Sequence, residues 1–141
     1  MGIPTQTEFF DCTAASELLT HELRRVVRTF RLDARRLARV LAMDEGDAAE
    51  LLAGHQLLRP SSPEGLRTLR LVRLHRALGD AFGTLDAVEW FMTHANGEDG
   101  AIPAALLEEP DGIERLFARL DCQGVDQWRP REFALRVAGG V

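Results

Sequence analysis

The residues with the most conspicuous potential for chemistry lie in "AVEWFMTHANGEDGAIPAALLEE", residues 87–109, where Glu98, Asp99 and Gly100 interrupt two apolar runs. The centre of this stretch looks like part of a calcium loop. A twelve-residue loop centred there would begin at Ala95 and place Ala95, Gly97 and Asp99 at ligand positions, with Leu106 at the bidentate position. Calcium needs several oxygen ligands and a terminal glutamate, and only Asp99 qualifies. A second imitation, "DCQGVDQWRPRE" from Asp121 to Glu132, keeps carboxylates at its ends. It has Val125 at a ligand position and Asp126 where the sharp turn wants glycine. The residues therefore predict no metal, and residues 97–100 read as a hinge.

Other catalytic patterns are missing. His21, His55, His75 and His94 are scattered, and no nucleophile elbow, zinc-binding HExxH, phosphate loop or dinucleotide glycine set occurs. Glu108 and Glu109 are adjacent, so on a helix they diverge. Ser61-Ser62 is accounted for by helix capping. The arginines at 67, 70, 73 and 76 read mainly as a solvent-facing stripe, and secondarily as a phosphate or partner contact. No catalytic residue and no cofactor is expected.

All 17 basic residues are arginine. Their distribution is uneven. Seven lie between Arg24 and Arg39 against the single Asp33, whereas nine carboxylates and no base lie between Asp80 and Glu114. The first 76 residues net +2 and the remainder −7, giving the overall −5. A strongly basic nucleic-acid footprint is absent overall, and only the amino-terminal third offers one, through Arg24, Arg25, Arg28, Arg35, Arg36 and Arg39. The 141 residues suit one domain or two small helical modules. No long apolar run and no secretory signal is visible, and Cys12 and Cys122 are two separate thiols. A cytoplasmic location without membrane association is expected.

The elements that must position these groups are helices. Leu18, Leu19, Leu23, Val26, Val27 and Phe30 recur along one side of residues 14–30. Asp33 is placed to cap a helix carrying Leu37, Val40 and Leu41. "DAAELLAG" predicts a short helix ending at Gly54. Ser62-Pro63 opens a long helix over 63–82, Gly83-Thr84 stops it and caps the next over 85–95, Pro103 starts a short turn, and a final helix spans 112–120. The expected fold is all-α, with about seven short helices.

"LARVLAMDEGDAAELLAG", Leu37 to Gly54, resembles the helix-turn-helix of Xre-type regulators. Leu37, Ala38, Val40, Leu41, Met43, Ala48, Leu51, Leu52 and Gly54 match its apolar positions, while Ala42 replaces the usual turn glycine. The reading positions differ. A DNA-reading helix needs donors and cations, yet this one presents Asp44, Glu45, Gly46, Asp47, Ala49 and Glu50. Carboxylates there repel a phosphate backbone and release no counterions. Either the arginines at 24–39 hold phosphates while the acidic helix faces away, or the motif has become a dimerisation or docking module.

The carboxy-terminal half is similar to the toxin-binding domain of Xre/MbcA/ParS-like antitoxins. The likeness rests on Phe82-Gly83, "DAVEWF" at 86–91, "IPAALL" at 102–107 and "DGIERLFARLDCQG" at 111–124. With the helix-turn-helix it covers roughly residues 33–124. The resemblance implies a homodimer that covers the active site of a cognate toxin. Family toxins of the RES type degrade NAD and would present a basic groove to the acidic strip at Glu98, Asp99, Glu108, Glu109 and Asp111. Trp90, Ile102, Pro103 and Phe117 are the apolar contact candidates. Family members usually end near the position of Gly124, whereas this chain continues through Trp128, Arg129, Arg131 and Phe133, a tail able to plug a partner's cleft or to pack back. The resulting organisation is an amino-terminal extension and first helix (1–30), a degenerate helix-turn-helix region (31–62), a connecting helix (63–82), a toxin-binding-like region (83–124) and a tail (125–141). The alternatives are a DNA-binding autoregulator and an adaptor with no toxin.

Overall fold

The computed structural model describes residues 12–94 and 100–123. All regular structure among them is helical: α1 (Thr13–Phe30), α2 (Ala34–Leu41), α3 (Glu45–Ala53), α4 (Pro63–Phe82), α5 (Leu85–Thr93), α6 (Pro103–Leu106) and α7 (Gly112–Gln123). No helix among the described residues is long and apolar enough to cross a membrane. Chain contacts divide the molecule into two compact units. Met1–Arg28 with Leu32–Arg73 form one, and Thr29–Arg31 with Leu74–Val141 form the other. The division falls inside α4, so the helix that reads in sequence as a connector belongs to both.

In the amino-terminal unit, α1 buries Leu19, Leu23, Val26 and Val27. Leu18, expected on the same side, is 64% exposed. Steps of roughly 100° per residue put it well off the centre of that stripe. Each following helix starts on a side-chain cap, the device that satisfies an otherwise unpaired amide of the first turn. The Asp33 carboxylate accepts from the Arg36 amide at 2.8 Å, and Asp44 accepts from Gly46 at 2.9 Å. The Ser62 hydroxyl accepts from the Gly65 amide at 3.0 Å and donates to the Arg59 carbonyl at 2.7 Å. Gly65 is required there, because a Cβ on it would lie 2.0 Å from that carbonyl oxygen. The loop before α4 is tied back as well. The Leu58 amide donates to the Thr20 hydroxyl at 2.9 Å, which donates in turn to the Ser16 carbonyl at 2.7 Å.

In the carboxy-terminal unit the core is aromatic and aliphatic. Phe82 and Phe91 meet with ring centroids 5.0 Å apart, and Leu74, Leu78, Val88, Met92, Leu107 and Leu116 are nearly inaccessible. Burying each such side chain contributes roughly 1.5–3 kcal/mol. His75 is part of this packing: it is 6% exposed, bonds the Thr29 hydroxyl at 3.0 Å and meets Phe30 edge-on at 5.6 Å. α5 packs on α6, and α6 on α7. Thr84 caps α5 through the Ala87 amide at 3.2 Å, whereas α6 has no side-chain cap and relies on Pro103 in its first turn. Gly112 opens α7 where a Cβ would lie 1.6 Å from the Leu106 carbonyl oxygen.

Candidate functional site

The acidic helix is built from the turn before it. α2 ends at Ala42, whose φ of 53° and ψ of 51° are left-handed, the conformation usually assigned to glycine. The backbone then recloses through the Met43 amide to the Ala38 carbonyl at 2.9 Å. The Arg67 guanidinium donates to the Leu41 carbonyl at 2.9 Å, placing a cation at the negative end of α2. Arg67 is exposed, as the stripe reading expects, and also clasps α4 to α2. Arg70, Arg73 and Arg76 are exposed.

α3 packs on α2 with Ala48 and Leu51 buried. Its remaining surface is the polar set read from the sequence: Asp44, Glu45, Gly46, Asp47, Ala49 and Glu50 are all exposed. Glu50 meets His55 Nδ1 at 2.9 Å, while Glu45 and Asp47 have no ion-pair partner among the described residues. The face is thus a patch of negative charge that is only partly compensated. Of the arginines proposed to hold phosphate, Arg24, Arg25, Arg28, Arg35 and Arg39 are exposed, Arg36 is half-buried, and Arg25 lies 3.5 Å from Glu22.

The second candidate surface lies in the carboxy-terminal unit. Trp90 is half-buried and stacks on His94, with rings 4.3 Å apart and 6° from parallel. The His94 ring is held by its Nδ1, 2.9 Å from the Trp90 carbonyl oxygen. Ile102 is 42% exposed, whereas its neighbour Pro103 is buried and so fills the core instead of presenting a contact surface. Phe117 is half-buried. Within the acidic strip, Glu108 is half-buried and Glu109 exposed, and Arg115 pairs with Glu109 and reaches to 4.0 Å of Asp111. The strip is therefore partly neutralised by a base just beyond the carboxylate run; the i, i+4 spacing of Asp111 and Arg115 was its sequence signal. Glu98 and Asp99, like Trp128, Arg129, Arg131 and Phe133 of the tail, lie outside the described residues. So do most ligand positions of both calcium-like loops. Among the described residues no three His, Cys, Asp or Glu side chains are grouped to hold a metal ion.

A groove of about 440 Å³ escapes sequence inspection altogether. It opens in the amino-terminal unit between the α2–α3 turn and the loop before α4. Met43, Leu51, Leu57 and Leu58 line it together with Asp44, Asp47 and Glu64. The stretch "HQLLRPSSPEG" reads in sequence only as a loop, because nothing local tells which element its leucines face. Comparison of the chain with protein-family models and with curated proteins returned no match to either.

Proposed function

We propose that this protein is a non-catalytic, antitoxin-like binding protein that neutralises a cognate toxin by covering its active site. The resemblance of residues 33–124 to Xre/MbcA/ParS-like antitoxins suggests the class, and a RES-type NAD-degrading toxin is the partner it implies. One observation carries the departure from DNA reading: the exposed surface of α3 holds Asp44, Glu45, Asp47 and Glu50 and no base. Such a face raises the free energy of approach to phosphates and leaves the helix suited to protein surfaces. In this reading the α2–α3 region serves self-association. The Trp90–His94 stack, Ile102 and the half-buried Phe117 contribute the apolar part of the toxin contact, the fraction of an interface that usually dominates its affinity.

A DNA-binding autoregulator is the second reading, favoured by the exposed guanidinium groups of Arg24, Arg28, Arg35 and Arg39. The distinguishing experiment is co-expression with the product of the adjacent open reading frame. The antitoxin reading expects that product to arrest growth alone, and expects this chain to restore growth and co-purify with it. Trp90→Ala combined with Ile102→Asp should abolish rescue while leaving the helical content intact. A neighbour without toxicity, or rescue that survives without any complex, would rule this reading out.

A further inference from the structure

The groove beside α3 has a chemistry of its own. Its lining includes the buried Leu51 and Leu58, the half-buried Met43 and Leu57, which is 47% exposed. Three carboxylates, Asp44, Asp47 and Glu64, stand against one guanidinium, Arg59. Asp44 is engaged in capping, but the Asp47 and Glu64 side chains have no partner among the described residues. Both carboxylates occupy the first turns of their helices, where the dipole favours them. Each helix start offsets roughly half a charge, and Arg59 offsets one, so the groove stays negative by about one charge. Anions are thereby disfavoured. A metal ion is equally ill-suited, since these side chains do not converge as ligands. The groove holds about 440 Å³, and its lining mixes five apolar side chains with six polar ones that include Gln56 and Ser62.

We infer that this groove is a docking site for a basic, amphipathic peptide segment of a partner protein. An apolar side chain of that segment would enter among Met43, Leu51, Leu57 and Leu58, while flanking arginines or lysines pair with Asp47 and Glu64. The site is held in shape by fixed geometry. Gly65 against the Arg59 carbonyl sets one wall, and the left-handed Ala42 sets the other. The assignment does not depend on the toxin reading. A chain that neutralises a toxin but ignores the peptide loses only the groove, and a chain that binds the peptide without neutralising a toxin loses only the antitoxin role.

The test uses the full-length protein and a fluorescein-labelled hexapeptide of alternating arginine and leucine, read by anisotropy, with binding mapped by methionine and leucine methyl shifts. Saturable binding that moves Met43 and Leu57 and weakens with added salt is expected. Asp47→Asn with Glu64→Gln keeps the side-chain shapes and should weaken binding about fivefold or more, as the loss of two exposed charge contacts implies. Leu57→Ser, at a position already half in solvent, should weaken it about threefold. Circular dichroism verifies that both variants remain folded. Absence of binding, equal affinity of the neutralised variant, shifts confined to other residues, or preference for a serine–leucine peptide each overturns the inference. Tighter binding of a synthetic peptide of residues 125–141 than of the probe would assign the groove to this chain's own terminus, and overturns the partner assignment as well.

Discussion

The two units position their short helices by different physical means. In the amino-terminal unit, α2, α3 and α4 each begin on a polar cap, and hydrogen bonds donated by Arg67 and accepted by the Thr20 and Ser62 hydroxyls tie turn to helix and loop to helix. In the carboxy-terminal unit, α6 has four residues and no side-chain cap. It is placed by burial of Pro103, Ala104, Leu106 and Leu107 and by the approach of Gly112 to the Leu106 carbonyl. An isolated helix so short does not persist in water, so its geometry belongs to the packing around it. A surface carried by the first unit is set by polar caps and tethering hydrogen bonds, and one carried by the second is only as well defined as the core beneath it.

The widest test of this contrast is a pair of core truncations. Phe91→Ala should cost about 3–5 kcal/mol and loosen α6, whereas Leu41→Ala should cost about 2–5 kcal/mol and leave α6 unchanged. Denaturant titration, with hydrogen exchange of the Ala105 and Glu108 amides as a local probe, separates the two outcomes. Protected α6 amides in the Phe91 variant would break the comparison.

Next come the two glycines. Gly65→Ala and Gly112→Ala each force a methyl onto a backbone carbonyl, and overpacking of that kind costs about 1–3 kcal/mol or more. The first should blunt the groove beside α3 and spare the Trp90–His94 stack, and the second should do the reverse. Equal melting temperatures for wild type and both variants would show that neither contact is as close as it stands.

Much of the fold was legible because its signals are local. Asp33, Ser62-Pro63, Thr84 and Pro103 mark helix starts by chemistry that acts within one turn, and the helices begin beside them. The periodic apolar positions from Leu37 to Leu52 are those that pack, with Met43 and Leu52 half-buried. The acidic surface of α3 was legible for the same reason, since the helical period alone decides which side chains face outward. Contacts distant in sequence were not legible. The bond from Arg67 to Leu41 spans 26 residues and that from Leu58 to Thr20 spans 38, and no spacing rule reaches that far. Pro103 was misjudged as a contact residue because a proline that starts a helix reads the same whether buried or exposed.

Caps provide a smaller test. Asp33→Ala should destabilise by about 1 kcal/mol through the lost bond to the Arg36 amide. Ile102→Asp, which supplies α6 with the cap residue it lacks, should change stability by less than about 0.5 kcal/mol if burial alone places that helix. A gain comparable to the Asp33 loss would mean that both units use the same device.

The smallest effects concern the left-handed residues. Ala42 and Arg31 both have φ of 53°. Ala42→Gly should stabilise by about 1 kcal/mol by relieving the Cβ conflict. Arg31→Gly should gain less, since it also removes the ion pair with Glu89, worth roughly 0–1 kcal/mol at this exposure. Thermal melts of the two variants, compared with wild type, check the order.

The proposal that the carboxylates of α3 suit it to protein surfaces and not to DNA is met most directly by titrating fluorescent duplex DNA from upstream of the chain's own gene at low salt. The wild-type protein should show no sequence-selective binding, and Asp47→Arg with Glu50→Arg should acquire salt-sensitive, non-selective affinity. Tight, selective binding by the wild type that disappears when residues 44–50 are altered would contradict the account.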